Sequence, residues 1–147
     1  MKRRRMLFVC VGNAFRSQMA EGFARAYGGR EWDVFSAGVS PAGRLPEQTV
    51  AVMAEKGIDI SQQFPKSLEE LLRAQFEVVV NMSGVPVPDL GPVIEWKVKD
   101  PVGGGEALLR KVRDEIETKV QRLFIELRTP RPGQPGKWDP AGWRRGN

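Results

Sequence analysis

Apolar residues along this chain follow two rhythms. Residues 6–11 (MLFVCV) form an unbroken apolar run of strand length, and residues 32–37 (WDVFSA), 76–80 (FEVVV) and 93–98 (VIEWKV) are further β-rich stretches. Helical spacing fills the intervals. Residues 18–27 set Met19, Phe23 and Ala26 on one face, and Gly28-Gly29 stops them. Residues 46–56 begin with a proline suited to a first turn, carry Val50, Met53 and Ala54 as a stripe, and meet Gly57 as a stop. Ser67 and Glu70 spell a capping box ahead of Leu68, Leu71 and Leu72. Residues 106–128 place Leu109, Val112, Ile116, Val120, Leu123 and Leu127 along one face of a long helix.

Strands that alternate with helices predict an α/β fold. The expected architecture is a single domain, a four-stranded, mostly parallel open sheet with helices on both faces. Residues 1–128 make up that domain, and the Pro- and Gly-rich residues 129–147 read as a flexible C-terminal tail. Open α/β sheets bind ligands beyond the carboxyl ends of their strands. Cys10 sits where the first strand ends and Asp100 just past the fourth, so the fold class lets both reach one crevice.

Composition narrows the chemistry. The chain holds one cysteine and no histidine among its 147 residues. Internal disulfides, multi-cysteine metal sites, Ser-His-Asp triads and histidine zinc sites are thereby excluded. Any general acid or base is a carboxylate, Lys, Tyr or water. The net charge of +5 favours anionic partners. Basic residues are scattered apart from the run at 2–5, no nucleic-acid motif is visible, and no apolar stretch has membrane-spanning length. The basic-then-apolar start lacks a small-residue cleavage site, which predicts a cytoplasmic protein.

The segment CVGNAFRS, residues 10–17, carries the distinctive chemistry. A short loop between a strand and a helix N-terminus turns amide N–H groups inward and makes an anion nest. Gly12 and Asn13 tolerate the left-handed backbone angles such a loop needs. Arg16 can hold two oxygens of a tetrahedral oxyanion with its planar fork. The same dipoles and guanidinium favour the thiolate of Cys10, and Ser17 can add a hydroxyl hydrogen bond. The expectation is a thiolate that faces solvent at the rim of the sheet. The oxyanion-binding loop is Val11, Gly12, Asn13, Ala14, Phe15 and Arg16.

The pattern C-x-G-N-x-x-R-S at the end of a first strand resembles the low-molecular-weight protein tyrosine phosphatases and the arsenate reductases that share their fold. FSAG at 35–38, GIDIS at 57–61, FEVVVNM at 76–82 and Asp100-Pro101 extend the resemblance across residues 6–128. It implies Cys10 as nucleophile, Arg16 as oxyanion clamp, Asp100 as general acid, and Asn13, Ser17 and Ser36 as braces of the loop. A second Asp-Pro pair, Asp139-Pro140, lies in the tail and is set aside. No metal and no cofactor is implied for the reaction.

The sequence departs from both branches. Phe15 stands where the phosphatases often carry a second loop cysteine. Val102-Gly103 follows Asp-Pro in place of tyrosine, and residues 40–45 contain no aromatic, so phenyl phosphates lose their aromatic walls. SAGVSPAG and GIDIS sit closer to the reductase branch, yet residues 82–90 lack the two cysteines of its thioredoxin-coupled members. A reductase here needs an external thiol, either a low-molecular-weight thiol or a redoxin. Some reductases bind a cation with residues matching Asn13, Glu21 and Ser36. The fourth position is Lys66 here, which leaves two readings: an ammonium that replaces that ion, or a solvated surface lysine.

Three readings follow. The leading one is a cysteine-dependent phosphatase acting on phosphate monoesters, phosphotyrosine included, through a phosphocysteine. The alternative is an arsenate reductase that uses the same cysteine with an external thiol. The third is a phosphate-binding module without catalysis.

Overall fold

The structure is a computed structural model and describes residues 3–128. The predicted tail, residues 129–147, and Asp139-Pro140 within it lie outside the described residues.

Four strands form one parallel sheet in the order β2-β1-β3-β4: β1 (Arg4–Cys10), β2 (Trp32–Gly38), β3 (Val78–Asn81) and β4 (Val93–Glu95). The helices are α1 (Arg16–Gly28), α2 (Glu47–Ala54) and α3 (Gly105–Arg128). β1 is central and pairs along its whole length with β2, so that Cys10 stands opposite Gly38. Its uninterrupted apolar run is what a strand covered on both faces requires.

Alternation along β1 divides the core. Met6, Phe8 and Cys10 face the three helices, where Met19, Phe23, Met53, Leu109, Ile116 and Phe124 pack. Leu7 and Val9 face Leu68, Phe76 and Leu90. That second face is covered by the 3-10 turn Leu68–Leu71 and its flanking segments, a much shorter element than the helices opposite. The capping box forms as read: Glu69 N donates to Ser67 Oγ and Ser67 N to Glu70 Oε2.

Two apolar stripes shift. On α1, Ala20 and Ala24 join the core and Ala26 is exposed; on α2, Val52 is buried and Ala54 exposed. β4 is shorter than its apolar run. Trp96 N still donates to Asn81 O, but β3 ends there and leaves residues 97–98 no strand to pair with. The long helix matches its pattern, with Leu109, Val112, Ile116, Val120 and Leu123 all buried. Among the described residues, no helix is long and apolar enough to cross a membrane.

Candidate active site

β1 ends at Cys10 and α1 starts at Arg16, so the loop between them wraps in front of a helix N-terminus. Asn13 adopts φ 50°, the left-handed conformation foreseen for it. The chain then has to dispose of the loop's carbonyls, which would repel an anion.

Each carbonyl from Cys10 to Phe15 accepts a hydrogen bond. The segment after β2 supplies three donors: Val39 N to Cys10 O at 3.1 Å, Ser40 N to Val11 O at 2.8 Å and Ala42 N to Gly12 O at 2.8 Å. Gln18 Nε2 donates to Asn13 O at 2.9 Å, Thr49 Oγ1 to Ala14 O at 3.0 Å and Met19 N to Phe15 O at 3.0 Å. Across a trans peptide the next N–H points opposite to the carbonyl. Carbonyls engaged on the outside therefore turn the amides of residues 11–16 toward the interior of the loop.

Among the described residues, the sulfur has one hydrogen-bonding side-chain neighbour. Cys10 Sγ lies 2.8 Å from Ser17 Oγ. Asn13 Nδ2 donates to that same Oγ at 2.7 Å, and the hydroxyl keeps its own proton for a thiolate and a second lone pair for a thiol. Contrary to the expectation of a sulfur at the solvent-facing rim, Cys10 is only 2% exposed and borders the helix-side core. The reason is its place at the end of the central strand, on the face that the helices cover. It forms part of the floor of a cavity of about 230 Å³ whose walls are Val11, Gly12, Ala14, Phe15, Arg16, Ala42, Asp100 and Val102. Phe15 is an aromatic wall that the sequence reading did not assign.

Arg16 is buried and held in place. Its Nη1 donates to Met82 O at 2.8 Å and Val98 O at 3.0 Å, and its Nη2 lies 3.5 Å from Asp100 Oδ2. Asp100 keeps its other oxygen on Val102 N at 3.1 Å. Cys10, Arg16 and Asp100 line this one cavity, with the Ser17 hydroxyl beside the sulfur.

Behind the loop, Asn13 Nδ2 also donates to Ser36 Oγ at 2.9 Å, and Ser36 Oγ donates to the buried Glu21 Oε1 at 2.5 Å. Arg25 pairs with Glu21 Oε2 at 2.7 Å. Lys66 N donates to Asn13 Oδ1 at 2.8 Å, while Lys66 Nζ donates to Phe64 O and stands 3.8 Å from Glu21 Oε1. Burial lowers the Lys66 pKa from the usual lysine value, against the opposing pull of Glu21. An ammonium in this position brings its own positive charge against Glu21, so the residues present do not fit a further bound cation. Gln18 and Thr49, both fully buried, are site residues that the sequence reading missed. A polar residue on a helix reads as solvated, and nothing local marks these two as inward.

Comparison with known proteins agrees with the geometry. The family model described as low molecular weight phosphotyrosine protein phosphatase matches residues 5–93. An arsenate reductase of Halalkalibacterium halodurans is 37% identical over 139 residues, covering 86% of this chain and 98% of the relative. A glutaredoxin arsenate reductase of Synechocystis is 33% identical over 131 residues, covering 84% and 98%. A solved arsenate reductase in the phosphate binding state superposes with a TM-score of 0.76 at 33% identity, covering 83% of this chain and 97% of that one. With its loop between β1 and α1, its parallel sheet and these relatives in agreement, the chain belongs to the low-molecular-weight phosphotyrosine protein phosphatase family, which includes arsenate reductases.

Proposed function

We propose that this protein reduces arsenate, with Cys10 as nucleophile and an external thiol as reductant. This reverses the order of the two catalytic readings drawn from sequence. The observation that carries it is the chain's one thiol on the floor of an oxyanion loop, in a protein whose relatives at 33–37% identity are named arsenate reductases. The cavity walls are mainly aliphatic, and Phe15 is their one aromatic ring. That lining suits a small tetrahedral oxyanion better than a phenyl ester clasped between rings.

In this reading the inward amides and Arg16 hold the arsenate oxygens. The Cys10 thiolate attacks arsenic, an S–As bond forms, and hydroxide departs with a proton from Asp100 as water. A thiolate from outside then attacks Cys10 Sγ. An S–S bond forms, the S–As electron pair passes to arsenic, and As(V) leaves as As(III) arsenite. A second external thiol frees Cys10 and leaves with the first as their disulfide. Two thiols thus supply both electrons. With a single cysteine, the chain has no partner thiol of its own. A low-molecular-weight thiol or a redoxin such as glutaredoxin fills the role, and a free catalytic thiol suits the reducing cytoplasm.

The second reading, hydrolysis of phosphate monoesters, draws on the family model and on the same loop and acid. Both activities are assayed on one preparation. Arsenate-dependent oxidation of a reduced thiol, with negligible hydrolysis of p-nitrophenyl phosphate and none of either activity in Cys10→Ser, supports reduction. Fast hydrolysis without thiol oxidation restores the phosphatase reading.

A further inference from the structure

The loop's outer face shows how the nest is held open. Thr49 lies in the first turn of α2 and is wholly buried. A threonine inside a helix often bonds back to its own preceding turn. Here Oγ1 reaches instead across 35 residues to Ala14 O. Gly38, the last residue of β2, works by what it lacks. A Cβ there would come within 2.7 Å of Val11 O and 2.9 Å of Asn13 N, both loop backbone atoms. Gly43, five residues beyond the last strand position, is the natural contrast: a Cβ there meets nothing within 4 Å and φ is not left-handed.

We infer that Thr49 and Gly38 are positioning residues that hold the loop in its anion-receiving form before any anion binds. Thr49 fixes the Ala14 carbonyl outward from the α2 side. Gly38 lets the β2 end lie flush against the loop, so that Val39, Ser40 and Ala42 reach the carbonyls of Cys10, Val11 and Gly12. A nest fixed in advance spends little binding energy on ordering itself, which is how preorganisation raises affinity. The inference rests on the oxyanion-binding role of the loop, common to both catalytic readings.

The test is calorimetric titration of inorganic phosphate into the purified full-length protein, at a temperature where each variant is folded by near-UV circular dichroism. Thr49→Val keeps the shape and removes the hydroxyl; phosphate affinity is expected to fall about tenfold, the scale of one lost hydrogen bond to a buried carbonyl. Thr49→Ser keeps the hydroxyl and is expected to bind within about twofold of wild type. Gly38→Ala is expected to lose at least as much as Thr49→Val, and Gly43→Ala to bind as wild type. Should Thr49→Val fail to fold, Thr49→Ser and the glycine pair still decide. Equal phosphate affinity in Thr49→Val and wild type, or equal losses in Gly38→Ala and Gly43→Ala, overturns the inference. Absence of arsenate reduction alongside normal phosphate binding sinks the proposed activity and leaves the inference standing. Wild-type protein that binds no phosphate sinks both.

Discussion

Arg16 Nη2 lies 3.5 Å from Asp100 Oδ2, so the proposed clamp and the proposed acid already touch across the cavity. An entering oxyanion competes with this carboxylate for the guanidinium and is repelled by its charge. Asp100→Asn removes the charge and keeps the shape. Phosphate or arsenate is expected to bind this variant a few times more tightly, while turnover falls by about a hundredfold, as for loss of a general acid. Binding that weakens in step with turnover would assign Asp100 to holding the anion.

Ser17 gives sulfur its one hydrogen-bonding side-chain contact among the described residues. Ser17→Ala is expected to lower turnover by roughly tenfold to a hundredfold and to slow alkylation of Cys10 by iodoacetamide at neutral pH. Bound phosphate should protect wild type from the reagent. A Ser17→Ala protein alkylated at the wild-type rate contradicts the hydroxyl's role.

Lys66 stands with its ammonium against the buried Glu21, so potassium is expected to leave wild-type activity and thermal midpoint unchanged. Lys66→Met strips that charge away. Its activity is expected to drop severalfold and to recover in part when potassium or ammonium, but not lithium, is added. Potassium activation of the wild type would mean that a cation site persists beside the lysine.

Glu55 is held down to about 2, first by its hydrogen bond from Arg110 and then by that from Arg113, from an ordinary value of 4.5. A depressed carboxylate stabilises the fold above its unfolded value and loses that contribution as pH falls through its folded value. Glu55→Gln is therefore expected to be less stable than wild type at neutral pH. The gap in urea midpoint should close between pH 4.5 and about 2. High salt should narrow it, since the group is exposed. A gap that stays constant across that range excludes the pairing as its source.

The sequence made one half of the site readable. Cys10, Gly12, Asn13 and Arg16 lie within one seven-residue segment, and each residue type answers a backbone or charge requirement set by its own neighbours. The other half arrives from a distance. Thr49 is 35 positions from the carbonyl it serves, and its helix alone would present a threonine to water. Phe15 reads as a substituted cysteine, yet its ring becomes a cavity wall because α1 begins immediately after it. The shortness of β4 was hidden for the same reason: residues 96–98 are as β-prone as those before them, and only the end of β3 at Asn81 limits their pairing.

Four of the six outer bonds on the loop come from main-chain N–H groups, at Met19, Val39, Ser40 and Ala42. Main-chain donors survive almost any substitution except proline. The residues at 39 and 40, which do not line the cavity, are therefore free to drift among related proteins while the cradle they shape stays the same, and alignments will under-report them. Where the backbone itself is the tool, side-chain identity records very little of the work.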